Sequence, residues 1–199
     1  MVATPKGRRT EAAFHQAARK VFAEKGFLNA KISDIAAEAG RSAGSFYNYY
    51  DNKQQLLEAL LETFSDDVLN RAKQRLTADP RKNVEEAVRA YFDTYREYLP
   101  EMIGVFQLSM TDEQFARWWR ERRADGIDGV LRVVRSVEKE GTQVDLDHGV
   151  FASAIVSMME SFCWSWYGAG GDIGVPAEDD ELAIHTLSEI FARGLYNGG

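Results

Sequence analysis

Apolar residues recur along the chain at spacings of three and four, the mark of helices that each bury one stripe. Phe14, Ala17, Ala18, Val21 and Phe22 predict a helix from a Thr10 cap to about Lys25, ended by Gly26. Ile32, Ile35, Ala36 and Ala39 predict a short second helix, with Asp34 in its first turn, where a carboxylate complements the dipole. Gly40 follows where a helix C-terminus favours a left-handed residue, and Ser42 stands where a third helix needs a side-chain oxygen as its cap. Phe46 and Tyr50 give that third helix its buried edge. Asn52 with Gln55 comes close to a capping box, and Leu56, Leu57, Leu60, Leu61, Phe64, Val68, Leu69 and Leu76 predict one continuous helix to about residue 76. Asp79-Pro80 breaks the chain.

The second half repeats the pattern. Val84, Val88, Tyr91, Phe92, Tyr95 and Leu99 mark a helix over 82–99, stopped by Pro100, and a short segment follows over about 101–109. Thr111 with Gln114 resembles another capping box before a long helix that Gly126 and Gly129 weaken and Gly141 ends. Residues 147–167 carry two apolar faces, Phe151, Ile155, Met158, Phe162 and Trp166 on one, Val156, Met159, Cys163 and Tyr167 on the other. A Gly-rich, acidic stretch over 168–180 reads as a flexible connection to a last helix over about 178–196; its Gly spacing is wrong for a nucleotide loop. The expected fold is all-α: an N-terminal three-helix helix-turn-helix lobe over 1–52 that binds DNA, and a larger helical body over 53–199 for ligand binding and dimerisation.

Residues 32–53 carry the chemistry. The two helices there are too short to be stable alone, and Ala36, Ala39 and Gly40 let them approach closely, which is helix-turn-helix grammar. Arg41, Ser42, Ser45, Tyr47, Asn48, Tyr49 and Lys53 offer hydroxyls, an amide and cations within about three turns of helix, groups that bind phosphate oxygens and base edges. Taken singly, the same serines and tyrosines also suit a core edge and a solvent face.

The ordered string Ile35, Ala36, Ala39, Gly40, Ser42, Gly44, Ser45, Phe46, Tyr47, Tyr49, Tyr50, Asn52, Lys53, Leu56, Leu57 resembles the DNA-binding signature of the TetR family of bacterial transcriptional regulators. It covers roughly the first quarter of the chain. The resemblance implies an all-α homodimer, usually a repressor, released from an operator in double-stranded DNA by a small ligand. It also implies that Ser45, Tyr47, Tyr49 and Lys53 touch phosphates, and that Ala43, Gly44 and Asn48 face the major groove with Arg41 nearby. Three residues depart from the pattern. Lys31 replaces a capping Thr, Arg41 replaces a small apolar residue so that its stem is expected along the core, and Tyr50 adds a hydroxyl to a mostly buried edge.

Charge sharpens the division. The net charge is −7, yet residues 1–53 hold nine Lys/Arg against five Asp/Glu, a net of +4 that leaves −11 for the rest. A basic lobe on an acidic body suits docking by one end on DNA. Residues 1–9 are small, polar and basic, either an arm along the DNA backbone or a frayed terminus. Cys163 is the only cysteine, and neither a leader nor a run of apolar residues long enough to span a bilayer is evident, so a reducing cytoplasm and no membrane are expected. His15, His148 and His185 have no metal-ligand spacing, and no nucleophile elbow, phosphate loop or dinucleotide fingerprint is present; neither catalysis nor a cofactor is expected.

The body is dense in aromatics and Met, which suits either a core or an apolar pocket for a hydrophobic or aromatic effector. Phe92, Tyr95, Phe106, Trp119, Met158, Phe162 and Trp166 are the candidate lining. Two faces on one helix suggest that one packs against a second subunit, which nominates Val156, Met159, Cys163 and Tyr167, with Ala183, Leu187 and Ile190 of the last helix, as a dimer seam; the alternative is that both faces are buried in one chain. The competing function is a constitutive DNA-binding or protein-docking module without an effector.

Overall fold

The computed structural model describes residues 4–196; residues 1–3 of the basic N-terminal stretch lie outside them. Ten α-helices follow in order among the described residues: α1 Pro5–Asn29, α2 Ile32–Glu38, α3 Ala43–Phe46, α4 Lys53–Leu61, α5 Phe64–Gln74, α6 Pro80–Glu97, α7 Leu99–Ser109, α8 Glu113–Lys139, α9 His148–Cys163 and α10 Asp180–Tyr196. A π-helical turn, Trp164–Gly168, extends α9. The stretch read as a flexible connection folds into a minimal antiparallel hairpin, β1 Gly171–Asp172 on β2 Val175–Pro176, with Gly174 at φ +82° in its turn. The fold is all-α.

Several ends differ from the periodicity. Helix α1 starts at Pro5, capped by Thr4, whose Oγ1 accepts from Gly7 N at 3.1 Å; Thr10 is inside the helix, its hydroxyl donating to Lys6 O. Gly26, at φ +72° and ψ 158°, is non-helical and breaks the Pro5–Asn29 run where the sequence places the helix end, a last short helical stretch following it to Asn29. The helix expected to run unbroken to residue 76 is two helices, parted at Glu62-Thr63 with no Gly or Pro to demand it. Thr111 does not cap α8; its hydroxyl donates back to Gln107 O at 2.9 Å. Gly126 and Gly129 leave α8 a single helix of 27 residues.

The chain divides into two compact units. The first runs to Thr63 and takes in Tyr98–Asp112, so it exceeds the 1–52 read as a DNA-binding domain. Its core is Phe14, Ala18, Phe22, Phe27, Ile35, Phe46, Leu56, Leu57 and Met102. Helix α7 packs along α1, where a Cβ on Gly104 would meet Leu57 Cδ2 at 3.0 Å and Phe27 Cβ at 3.3 Å, so only glycine fits without displacing a neighbour. Across that contact Arg19 Nε donates to Glu101 Oε1 at 2.8 Å, and the Glu101 side chain is 0% exposed. Burial pushes the Glu101 carboxyl above the usual carboxylate range, against the pull of Arg19.

The second unit comprises Phe64–Glu97 and the chain from Glu113 on. Helices α5, α6 and α10 pack side by side, and α8 pairs with α9. Phe92 packs on Phe162 and Tyr167, and Phe162 stacks on Trp166 at 5.3 Å. Asp180, opening α10, pins this cluster by accepting from Trp166 Nε1 at 2.8 Å and Tyr167 OH at 2.9 Å, with Arg96 beside it at 2.9 Å.

Candidate nucleic-acid interface and ligand cavity

The helix-turn-helix geometry follows from local chemistry. Gly40, at φ +63°, ends α2: Arg41 N donates to Ala36 O at 2.9 Å and Gly40 N to Ala37 O at 3.0 Å, the paired bonds of a Schellman end. Lys31 offers no side-chain cap to α2; Asp34 accepts from Lys31 N at 3.2 Å instead. Lys25 and the Lys31 N–H hold the Asp34 carboxyl below its usual range. Ser42 caps α3, accepting from Ser45 N at 3.1 Å, and Asn52 caps α4, accepting from Gln55 N at 2.9 Å. Ion pairs Lys20–Glu38 at 2.7 Å and Lys25–Asp34 at 3.0 Å tie α2 to α1.

Phe46 and Tyr50 are buried beneath α3, and Arg41, Ser42, Ala43, Gly44, Tyr47 and Asn48 are exposed. Ser45 and Tyr49 are half-buried, Tyr49 packing on Phe14. Seven of the nine nominated residues thus lie within α3 and its caps or just after it, one row of hydroxyls and an amide that begins at Ser42. The other two are placed differently from expectation. Arg41 is exposed, its stem not along the core, with NH1 donating to Gly40 O. Lys53 Nζ donates to Phe27 O at 2.7 Å, Leu28 O at 2.9 Å and Ala30 O at 3.0 Å and lies 4.7 Å from the Phe27 ring centroid. All three ammonium hydrogens serve the carbonyl end of α1, and burial holds its pKa below the usual lysine range. The Tyr50 hydroxyl is 2.8 Å from His15 Nε2, a partner 35 residues away that no local pattern marks. Burial of each group lowers the His15 pKa and raises that of Tyr50.

The second unit holds a cavity of about 500 Å³ along α8, walled by α5, α6 and α9 and closed in part by α10. Its lining is mainly aliphatic: Val68, Leu69, Val84, Val88, Val130, Val133, Val137, Ile155 and Val156, with Phe64, Tyr91, Trp119 and Met159. Of the nominated effector residues only Trp119 lines it. Phe92, Tyr95, Phe162 and Trp166 belong to the packed aromatic cluster, Met158 is half-buried away from the cavity, and Phe106 lies in α7 of the first unit. Aromatic density marked a core here; the cavity is bounded by β-branched residues that look in sequence like any buried stripe.

The residues nominated for a dimer seam fall in several places in the single chain. Val156 and Met159 line the cavity, and Cys163, Ala183 and Leu187 are buried within one chain. Tyr167 is half-buried on Asp180. Ile190 alone of the seven is exposed, at 51%. Helix periodicity revealed both apolar faces of α9 but not that both are covered by the chain's own helices.

Among the described residues no cluster of His, Cys, Asp or Glu could hold a metal ion, and no helix is long and apolar enough to cross a membrane. Fold and exposed α3 face together define a helical protein with an N-terminal DNA-binding helix-turn-helix. A family model described as bacterial regulatory proteins of the tetR family matches residues 15–60. The HTH-type transcriptional repressor KstR2 of Rhodococcus jostii (strain RHA1) is 32% identical over 203 residues, 92% of this chain and 89% of the relative. A putative TetR-family regulator from Syntrophomonas wolfei shares the fold at TM-score 0.77 and 16% identity, covering 94% of each chain. So does a fatty acid degradation regulator, FadR from Bacillus halodurans, at TM-score 0.72 and 17% identity over 98% of this chain and 97% of that one. The chain belongs to the TetR family; it is a DNA-binding transcriptional regulator and not an enzyme.

Proposed function

We propose that the protein is a ligand-responsive repressor that binds a near-palindromic operator as a homodimer and is released by a small, mainly apolar effector. The observation that carries ligand control is the cavity of about 500 Å³ inside the second unit, a volume and lining suited to a small apolar molecule. The relative KstR2 is named a repressor, and the fold is shared with a regulator of fatty acid degradation. Ser42, Ser45, Tyr47 and Tyr49 hold phosphates while Ala43, Gly44 and Asn48 face the major groove, with Arg41 at the flank. As a regulator of bacterial genes it acts in the cytoplasm.

The mechanism is linkage. An effector that favours a conformation with displaced recognition helices lowers DNA affinity, and DNA lowers effector affinity by the same factor. Phe64 lines the cavity and opens α5, joined to α4 by Glu62 and Thr63 alone, so the covalent connection offers the lever. Dimerisation uses the faces of α9 and α10 that the chain leaves uncovered, Ala154 and Ser161 on the first, Leu182 and Ile190 on the second. A two-fold dimer places two α3 helices in successive major grooves.

The test is selection of bound sites from random DNA with purified protein, repeated with apolar compounds. A palindromic site released by one compound is the expected result. An enriched site indifferent to every compound would favour the constitutive module, and no enriched site would favour protein docking.

A further inference from the structure

Two buried polar groups of the cavity lining have no hydrogen-bond partner among the described residues, the Tyr196 hydroxyl and Arg122 Nε, and of the two only Arg122 carries a charge. Near one end of its length along α8, Arg122 and Arg123 both line it. Arg123 is matched: its Nε donates to Glu160 Oε1 at 3.0 Å and Oε2 at 2.7 Å, and NH2 to Ser157 Oγ at 3.0 Å. Arg122 forms no ion pair among the described residues, and its Nε is buried with no hydrogen-bond partner. A guanidinium N–H taken out of water and left unpaired is a destabilising arrangement, and carboxylate is the group that matches its fork. The charges agree, since four Lys or Arg side chains and three carboxylates line the cavity, an excess of one cation. From Arg122 the wall continues along α8 to Val137, a distance of about 22 Å. Between these ends Gly126, Gly129, Val130 and Val133 supply its apolar part, with Asp125, Arg132 and Ser136 also on the lining. A Cβ on either glycine would already touch the facing Val156 or Leu69 side chain, at 3.7 and 3.8 Å. Without side chains, the two glycines leave the space that a methyl would fill to the cavity.

We propose that the effector is an elongated aliphatic carboxylate, its head group paired with Arg122 and its chain laid along the valine-lined section of α8. This rests on reading the cavity as the effector site. Arg122 selects the head, and the wall from Gly126 to Val137 accepts the tail.

The experiment is calorimetric titration of the full chain with tetradecanoate, tetradecanol and tetradecyltrimethylammonium, each below its micelle concentration, with DNA affinity measured in the same samples. Wild type binds tetradecanoate about tenfold or more tighter than tetradecanol, and the ammonium compound weakest. Arg122→Met, which keeps an apolar stem, brings acid and alcohol to equal affinity, and Arg122→Lys restores part of the preference. Equal binding of acid and alcohol by wild type overturns the proposal, as does a preference that survives Arg122→Met. Should Arg122→Met fail to fold, the wild-type head-group series decides alone. Tetradecanol binding as tightly as the acid and releasing DNA equally well removes the head-group site and leaves ligand control standing. A preference for the acid that depends on Arg122 but leaves DNA affinity unchanged supports the site and removes ligand control. Binding by none of the three overturns the proposal.

Discussion

Lys53 shows how a residue named correctly for its position can be given another task by its surroundings. Its sequence context, the start of a helix after Asn52, suggests a phosphate site. Its ammonium group instead closes three carbonyls 23 to 26 residues earlier in the chain. Lys53→Met should lower the stability of the first unit by about 1–3 kcal/mol in thermal melts while leaving the salt slope of DNA binding unchanged. A flattened slope with unchanged melting would return Lys53 to the phosphate backbone. Tyr47→Ala, by contrast, should weaken binding to every DNA sequence alike, because Tyr47 is 57% exposed and meets the Phe46 ring edge-on. His15 adds a pH dependence. Burial lowers its pKa in the folded state, so the unfolded chain takes up that proton first as pH falls. Its contribution is therefore intact above the ordinary imidazole range and is lost as pH falls through that range toward the lowered value. His15→Gln should remove that part of the decline in melts followed from neutral pH downward. The caps Ser42 and Asn52 were legible in sequence because their partners lie three residues on; His15–Tyr50 was not, because its partners lie 35 apart.

At the scale of elements, periodicity located the helices well and their junctions less well. Leucines spaced through 56–69 describe one stripe whether or not the helix is interrupted, and Glu62 keeps helical angles, φ −55° and ψ −32°, where α4 ends. Nothing in the local structure explains why the hydrogen-bond run breaks there. Helix α7 illustrates a different limit. Its pattern predicts a helix, but not that it joins the first unit by packing on α1, because that contact depends on Gly104 facing Phe27 and Leu57. Gly104→Ala should therefore destabilise by about 1–3 kcal/mol through overpacking, in spite of alanine's better helix propensity. Gly126→Ala in α8 should do the opposite. Its Cβ would make an ordinary contact with Val156 at 3.7 Å, so up to about 1 kcal/mol of propensity should appear as a higher melting temperature.

For the whole molecule the uneven charge and the family assignment point the same way. A +4 segment over residues 1–53 on a chain of net charge −7 suits approach to DNA by one end. The proposed dimer makes a sharp contrast between two variants of α10. Ile190→Glu, at an exposed position, should yield folded monomers on sedimentation with sharply weaker operator binding. Leu187→Glu buries a carboxylate at a site 3% exposed and should unfold the second unit rather than split a dimer. A folded dimer from Ile190→Glu would move the interface to another face.

The sequence alone determined the all-helical class, the helix-turn-helix and the order of its caps, because those depend on residues within four or so positions of one another and on a motif read in register. It also determined the asymmetry of charge. Tertiary structure decided which apolar stripe meets which. Val156 and Phe162 are both apolar positions on α9, and only packing places the first on a cavity and the second in an aromatic cluster pinned by Asp180. Burial is a property of neighbours that come from distant parts of the chain, and a helical repeat carries no record of them.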